Sequence, residues 1–315
     1  MRRYLFPTLT LLIGLGPILF FVWFSGGLTP TPITETQAMT PLEQGAQAFA
    51  GLWIKPLYSI LSLALIVLLF GQSARDLAAL RWGLIAFLTG ENFCAVNFWV
   101  FQHESLLSEY LHSYGMALAL GLTAFAILDG LDTRLLKINQ PESRCAANAL
   151  CCICQRNSPT QCTARHSAQI MVVMVAILAF IPLMAPLTPQ AYEVNIYGFS
   201  YSYTRFAFYQ WYENRALPFL ALTCFLLAFW TLLRKDGPPI LLFTKALFSA
   251  GLGALGFSFF RLALGSIFRD HLVWFEFWEE TTELMYVTII GLFLWQFKGL
   301  LKKDGLLKRL LENNV

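Results

Sequence analysis

Eight long apolar stretches constrain the fold of this chain more than any other feature. Each is close to the ~20 apolar residues that a helix needs to cross a bilayer. Inside lipid the backbone N–H and C=O groups have no water to bond, so a spanning stretch must be helical. The sequence therefore predicts an all-α, polytopic helix bundle that forms a single transmembrane domain over residues 1–315. The predicted spans are 4–24, 51–70, 82–101, 113–131, 167–187, 216–233, 240–260 and 281–297.

Composition supports a membrane protein. Hydrophobic residues make up 57% of the chain and charged residues 13%, and that charged share is about half of the ~25% found in soluble domains. Water would not solvate such a surface, so we expect the lipid bilayer to cover much of it. No basic surface with interleaved aromatic residues is present in the sequence, so we expect no nucleic-acid partner.

Positive charge is distributed unevenly between the segments that connect the spans. Of the 22 Lys and Arg residues, 16 lie in segments that the alternating spans place on one side of the membrane. Because short basic loops stay in the cytoplasm, we predict cytoplasmic N- and C-termini. The compact loops indicate a bacterial inner (plasma) membrane. The basic segments are 1–3, 71–81, 132–166, 234–239 and 298–315.

The first apolar stretch has two interpretations. Arg2 and Arg3 precede it and a Ser-Gly-Gly sequence follows it, as in a cleaved signal peptide. Its apolar run, however, is longer than the ~7–15 residues of a cleaved signal. The length favours an uncleaved first span at 4–24.

Two segments outside the spans have distinctive patterns. In the predicted outer loop 188–215, aromatic and small residues alternate over 197–203, which predicts a short strand with one aromatic face. This loop is either an aromatic belt at the lipid headgroups or a docking platform for a periplasmic or membrane redox partner. The tail 298–315 is predicted to be a cytoplasmic amphipathic helix on the inner leaflet. The candidate docking residues are Tyr201, Tyr203 and Trp211.

The sequence GLGALG at 251–256 matches the letters of a dinucleotide-binding motif. That motif needs a preceding strand and a helix N-terminus, whereas this one lies inside a predicted span. Together with Ala246, Ala250 and Ala254 it indicates a stripe of small residues for close helix packing. Lys245, near the inner end of the same span, is expected to extend to the headgroups.

Five of the seven cysteines lie in the predicted cytoplasmic loop 132–166. Thiols stay reduced in the cytoplasm, so a metal site is a more plausible role for them than a disulfide. A C-x2-C pair with two flanking cysteines suits zinc or an iron–sulfur cluster. A redox dithiol or inert thiols are the alternatives. The candidate metal ligands are Cys145, Cys151, Cys154 and Cys162.

Acidic residues and histidines gather near the predicted outer ends of two helix pairs. E-x-x-H and E-x-x-E spacings place two side chains on one helix face, where they can hold a metal between facing helices or accept protons from a bound quinol. The alternative is a set of solvated helix ends. Glu91 is different because it lies inside a span and must face the bundle interior. The candidates for this outer-side metal, proton or quinol site are Glu91, Glu109, His112, Glu280 and Glu283.

Two other predictions concern charged residues near the membrane surfaces. Asp129 and Asp132, close to Arg134, are expected to form a solvated pair at a helix end. Haem is an unlikely cofactor, because only His112 and His271 lie on the same side and neither is deep in a span.

Three functions remain open from the sequence. The first is a membrane subunit of an electron-transfer or quinone-linked system, with a Cys-ligated metal centre and the outer Glu/His site. The second is a solute or ion transporter that uses Glu91 near the midplane. The third is a non-catalytic membrane scaffold that docks a periplasmic partner on its aromatic loop.

Overall fold

A computed structural model describes residues 35–101, 105–136, 163–187, 191–204, 210–233, 238–268 and 271–296. These residues are mostly helical, as predicted, with one small sheet in addition. The elements in chain order are β1 (Glu35–Gln37), α1 (Pro41–Phe49), α2 (Lys55–Leu69), α3 (Arg75–Phe101), α4 (Leu106–Gly130), α5 (Thr163–Leu178), α6 (Phe180–Met184), β2 (Ala191–Ile196), β3 (Phe199–Thr204), α7 (Leu217–Leu233), α8 (Pro238–Ile267) and α9 (Leu272–Gln296).

Within the described ranges, five helices are long and apolar enough to cross a membrane. Three of them are lengthened by π-helical segments at Ala50–Ile54, Leu131–Leu136 and Tyr212–Ala216. The five correspond to the predicted spans 51–70, 82–101, 113–131, 216–233 and 240–260. They are Pro41–Leu69, Arg75–Phe101, Leu106–Arg134, Tyr212–Leu233 and Ile240–Ile267.

The other three predicted spans have different outcomes, so the number of eight stays a prediction. The stretch 4–24 lies outside the described residues. The stretch 167–187 contains a shorter apolar helix, Ala168–Met184, in which α5 ends at Leu178 and α6 begins at Phe180. The stretch 281–297 belongs to α9, which is long enough to span but carries several glutamates on its first half.

The outer surface of the helices is apolar. Large side chains are exposed along it, including Ile60 at 67%, Trp99 at 77% and Trp295 at 69%. Soluble proteins rarely leave an apolar surface of this extent in contact with water. Together with the five long helices, this surface indicates a lipid bilayer as the environment of the protein.

The antiparallel pair α3 and α4 is at the centre of the bundle. Their backbones approach so closely that a Cβ added to Gly115 would lie 2.8 Å from the Cα of Gly90. Helix α8 packs against α4 and α7, while α2 packs against α3 and α9. Because α3 and α4 are antiparallel, the bundle has two ends at which the helices are connected. We call them the Arg75 end, where α3 begins and α4 ends, and the Phe101 end, where α3 ends and α4 begins.

The predicted small-residue packing of α8 is confirmed at Gly253 and Ala254, whereas Ala246 and Ala250 of the predicted stripe are exposed. A Cβ added to Gly253 would lie 2.3 Å from the carbonyl oxygen of Ala117 and 2.5 Å from the backbone nitrogen of Gly121. Ala254, next in the sequence, is buried. Glycine at these positions lets the backbones of α4 and α8 touch.

The expectation of a purely α fold missed a three-stranded sheet. Strands β2 and β3 form an antiparallel hairpin, and β1 pairs in parallel with β2. The turn between β2 and β3 has positive φ at Tyr197 (49°) and Gly198 (87°), the conformation typical of a two-residue hairpin. The predicted aromatic strand is therefore present, but Tyr197 belongs to its turn.

Candidate functional site

The structure brings both predicted outer-side groups together. The close contact of Gly90 with Gly115 places Glu91 on α3 beside His112 on α4, with the His112 Nδ1 atom 3.5 Å from Glu91 Oε1. Because α9 packs against α2, its glutamates approach the same point. One ligand atom from each of Glu91, His112 and Glu283 lies within 4.8 Å of the other two. All three residues are buried.

Two residues that the sequence analysis did not single out complete the group. Lys55, the first residue of α2, donates to Glu280 Oε1 at 2.7 Å and lies 3.3 Å from Glu91 Oε2. The Tyr58 hydroxyl contacts the Oε2 atoms of both Glu91 and Glu280. Six residues of four helices thus form one polar cluster. We call it the Glu91 cluster: Lys55, Tyr58, Glu91, His112, Glu280 and Glu283.

Carboxyl groups outnumber ammonium groups in this cluster. Three carboxylates face one ammonium group, since among the described residues Lys55 is the only permanent cation in ion-pair contact with them. Within the same described part of the chain, Glu91 Oε1 and Glu283 Oε2 are buried and accept no hydrogen bond. A buried charge that lacks a partner is strongly unfavourable. With all three groups ionised, the cluster therefore lacks a further positive charge, which a proton or a bound cation can supply.

The depth of the cluster places it well inside the bundle. Glu91 lies ten residues before Phe101, the last residue of α3, which corresponds to about 15 Å at the helical rise per residue. That is about half of the ~30 Å hydrocarbon thickness of a bilayer. Lys55 and Glu280 form the more exposed edge of the cluster, with side chains 22% and 17% exposed.

An aromatic layer separates the cluster from the Arg75 end. The fully buried Phe87 ring lies 5.5 Å from Tyr58 and 5.3 Å from Tyr286, measured between ring centroids. The Tyr286 hydroxyl is 2.6 Å from Thr123 Oγ1. These side chains lie about one helical turn from Glu91 and Glu283, on the side of the Arg75 end.

Beyond this layer, the Arg75 end is closed by ion pairs that the sequence analysis interpreted wrongly. Asp129 was expected to be solvated, but it is 1% exposed and bonded to Arg75 and to Lys245, each at 2.8 Å. Lys245 also contacts Asp132, which is buried as well, so Lys245 does not extend to the headgroups. The packing of α8 against α4 brings Lys245 to these acids. We call Arg75, Asp129, Asp132 and Lys245 the Lys245 network.

A second set of ion pairs lies at the Phe101 end. Arg261, near the end of α8, donates from Nε to Glu213 Oε1 at 2.7 Å and contacts Glu279 through Nη1. The guanidinium carbon lies 5.0 Å above the Phe275 ring centroid. We call Arg261, Glu213 and Glu279 the Arg261 network. It connects the π-helical segment before α7 to α8 and α9, as the Lys245 network connects α3, α4 and α8.

Glu109 does not belong to the Glu91 cluster, contrary to its predicted grouping. Its Oε1 atom accepts a hydrogen bond from Asn97 Nδ2 at 2.7 Å, and Asn97 Oδ1 accepts one from the backbone of Ser105. The residue therefore holds the end of α3 to the start of α4. The E-x-x-H spacing with His112 did predict one helix for both residues, but not one site.

The remaining predicted site residues are the loop cysteines and the aromatic docking residues. Cys145, Cys151, Cys154 and Cys162 lie outside the described residues. Tyr201 and Tyr203 belong to β3, and the orientation of their side chains is not described. Trp211 is half-buried and packs against the core, which leaves less of its surface for a docking partner.

Replacing Glu283 with glutamine is expected to stabilise the metal-free protein by about 1–3 kcal/mol. The change removes the charge of Glu283 beside that of Glu91. Ligand atoms of these two residues lie within 4.8 Å of each other, where repulsion between ionised carboxylates is of this order. The amide also offers N–H donors near Glu91 Oε1, which accepts no hydrogen bond from the described residues. The measurement is the unfolding midpoint in detergent with a chelator present. Glu109→Gln is the matched control and should give no gain, since Glu109 is already bonded to Asn97; a lower midpoint for Glu283→Gln would contradict the charge imbalance.

The chain matches no family model, no curated protein and no solved structure.

Proposed function

We propose that this protein is a multi-pass membrane transporter that binds a cation at the Glu91 cluster. The observation that carries the proposal is the burial of Glu91 and Glu283 about halfway through a helix bundle, beside Glu280 and Lys55 at the more exposed edge of the same cluster. One ionised side chain at the centre of a spanning helix costs at least about 2.5–3.5 kcal/mol. Ionisable residues at that depth mark ion and substrate paths in membrane proteins.

The charge balance supports a cation as the cargo. With all three carboxylates ionised, one lysine leaves two negative charges without compensation. A bound cation supplies the missing charge and a partner for Glu91 Oε1 and Glu283 Oε2. The loaded site is thus more favourable than the empty one, and an anionic or apolar cargo would gain nothing from these groups.

The position of the ion-pair networks supports transport rather than simple storage. The Lys245 network lies on the Arg75 side of the Glu91 cluster with the apolar Phe87 layer between them, while the Arg261 network contacts α9 at Glu279, next to Glu280 of the cluster. A midplane site that is closed towards one surface fits alternating access, in which one barrier opens at a time. Ion pairs suit such barriers because they can be broken and re-formed.

The proposed orientation follows from the distribution of basic residues. The Arg75 end carries the connections with most Lys and Arg residues, and these stay in the cytoplasm. We therefore place the Lys245 network on the cytoplasmic side of a bacterial inner membrane. The N- and C-termini are then cytoplasmic, and eight spans complete the bundle.

Transport is tested with the full chain in proteoliposomes on a solid-supported membrane. Concentration jumps of H⁺, Na⁺, K⁺ and divalent cations, applied one at a time, should give a transient current with at least one of them. Glu91→Gln should reduce that current at least about tenfold, the equivalent of ~1.4 kcal/mol of lost binding. Glu91 is chosen because it contacts Lys55, Tyr58 and His112.

Glu109→Gln is the matched control for this experiment. It removes a carboxylate only three residues from His112, but one that bonds Asn97 instead of the cluster, so the current should stay near the wild-type level. Absence of current with every cation, or equal loss in Glu91→Gln and Glu109→Gln, would contradict the proposal.

A membrane subunit of an electron-transfer system is the second candidate. The observation that favours it is the donor set of Glu91, His112 and Glu283, because carboxylates and imidazole from facing helices also hold redox-active iron. The cysteine centre that this function needs remains a prediction. Protein purified without oxygen should then contain iron and acid-labile sulfide, and both should be lost in Cys151→Ser with Cys154→Ser.

A further inference from the structure

We propose that Glu91, His112 and Glu283 bind a first-row divalent transition-metal ion. The proposal deepens the proposed function, on which it rests, by naming the class of cation. Three residues from three helices, α3, α4 and α9, each offer a ligand atom within 4.8 Å of the others. Such an arrangement is a starting geometry that small side-chain rotations convert into coordination.

The pair of Glu91 and His112 already has the required spacing. Two atoms that bind one ion at ~2.1 Å in tetrahedral geometry lie ~3.4 Å apart, and His112 Nδ1 is 3.5 Å from Glu91 Oε1. In the empty site Nδ1 also lies 3.3 Å from the Gly90 carbonyl oxygen, to which it donates when it carries the proton. Binding of an ion through Nδ1 requires the neutral tautomer with its proton on Nε2, so the proton moves from Nδ1 to Nε2.

The two carboxylates present free oxygens to the same point. Glu91 Oε2 is held by Tyr58 and Lys55, whereas its Oε1 accepts no hydrogen bond from the described residues. Glu283 Oε2 is in the same situation, and Glu283 is 4% exposed. Buried polar atoms nearly always have partners. An ion between these oxygens and His112 supplies the partner for both.

The contacts around Glu91 resemble the supporting shell of a metal site. Ligating carboxylates are commonly held by hydrogen bonds to their second oxygen, and here the Tyr58 hydroxyl and the Lys55 ammonium have that position. Lys55 is itself held by Glu280 Oε1, and Glu280 Oε2 lies 2.8 Å from the Tyr58 hydroxyl, whose single proton bonds one of the two carboxyl groups at a time. The orientation of Glu91 is therefore set before the ion arrives.

The donor types select the class of ion. Imidazole with carboxylates suits Mn²⁺, Fe²⁺, Co²⁺ and Zn²⁺, whereas Ca²⁺ takes six to eight oxygen ligands and Mg²⁺ prefers oxygen and water. Three protein ligands also leave open coordination positions, unlike the four of a closed structural zinc site. Open positions allow the ion to exchange, as a transported ion must.

The test uses the full chain in lipid nanodiscs after removal of metal with a chelator. Mn²⁺, Co²⁺, Zn²⁺, Mg²⁺ and Ca²⁺ are added separately, unbound ion is removed, and the metal content per chain is measured. We expect about one equivalent of a transition ion that raises the unfolding midpoint, and none of Mg²⁺ or Ca²⁺. If the wild-type protein retained Mg²⁺ as well as the transition-metal ions, or retained no ion, the proposal would be overturned.

Substitutions then locate the ion. Glu91→Gln, His112→Gln and Glu283→Gln should each lower the affinity at least about tenfold, while Glu109→Gln and the Cys151→Ser, Cys154→Ser pair should retain it. Loss in the cysteine pair alone would place the ion in the 132–166 loop and overturn the assignment. Glu283→Gln is the most informative variant, since its expected gain in metal-free stability separates loss of a ligand from failure to fold.

The binding and transport experiments can fail separately. Transition-metal binding at this site without any cation current would support the metal site and contradict the transport function. A current carried by H⁺ or Na⁺, with no transition metal retained, would support the transport function and contradict the transition-metal site.

Discussion

Replacing Arg261 with leucine should destabilise the protein by about 3–5 kcal/mol, because it removes the cation of a buried ion-pair network. Arg261 bonds Glu213 and Glu279 at once and lies over the Phe275 ring. Glu213 is 3% exposed, so water cannot take the place of the guanidinium. The unfolding midpoint of the purified protein, followed by tryptophan fluorescence, is the measurement.

Two further variants separate charge from packing at this position. Arg261→Leu combined with Glu213→Gln and Glu279→Gln leaves no unpaired charge and should recover a large part of the lost stability. Arg261→Lys keeps the charge but loses the guanidinium geometry that reaches both acids, so it should fall between leucine and the wild type. If Arg261→Leu unfolded at the wild-type midpoint, the network would contribute nothing to holding α7, α8 and α9 together.

The spans were predictable because lipid imposes a strong and local rule. A helix that crosses a bilayer must be apolar over its own length, so hydropathy alone located the five long apolar helices. The rule is weaker for α9, where one face carries Glu280 and Glu283 against the bundle while Ile289 and Phe293 are exposed on the other. An averaged hydropathy does not distinguish those two faces.

The residues of the candidate site were predictable, but not their association. Glu91 inside a span indicated a buried site, and the acids of α9 were recognised as a separate group. Their meeting depends on the packing of α9 against α2, for which the sequence contains no local signal. Lys55 was missed, although its position inside an apolar span is a signal in the sequence. A lysine at such a position needs a buried anion in another span.

Local structure outside the spans followed rules that a hydropathy argument leaves aside. Hydropathy predicts no span within 25–49, yet α1 begins there behind a capping box in which Thr40 and Glu43 bond each other's backbone N–H groups. The T-x-x-E spacing indicates such a start. Strand β1, by contrast, exists through its pairing with β2, and only the tertiary structure brings the two together.

Charges at the ends of spans were the least predictable feature. A carboxylate at a helix end is either solvated or paired with a cation. Its position in the sequence does not distinguish the two cases. Asp129 is paired because α8 places Lys245 beside it. That placement in turn depends on the glycine contact between α4 and α8.

Gly253→Ala should therefore destabilise the protein by about 3 kcal/mol, the upper end of the range for overpacking. The new Cβ would lie 2.3 Å from the Ala117 carbonyl oxygen and 2.5 Å from the Gly121 nitrogen. Both are backbone atoms, so no side-chain rotation relieves the clash and α4 must move away from α8. The same movement separates Lys245 from Asp129, and it should appear as a lower unfolding midpoint.

Gly256→Ala is the matched control within the same GLGALG sequence. Among the described residues, a Cβ at Gly256 would meet only Leu120 Cδ1, at 3.7 Å, which is ordinary contact. Because alanine favours a helix over glycine by about 1 kcal/mol, this variant should be as stable as the wild type or more so. Equal effects of Gly253→Ala and Gly256→Ala would mean that the close approach of α4 and α8 does not hold the bundle, and the interpretation of this motif as a packing surface would fail.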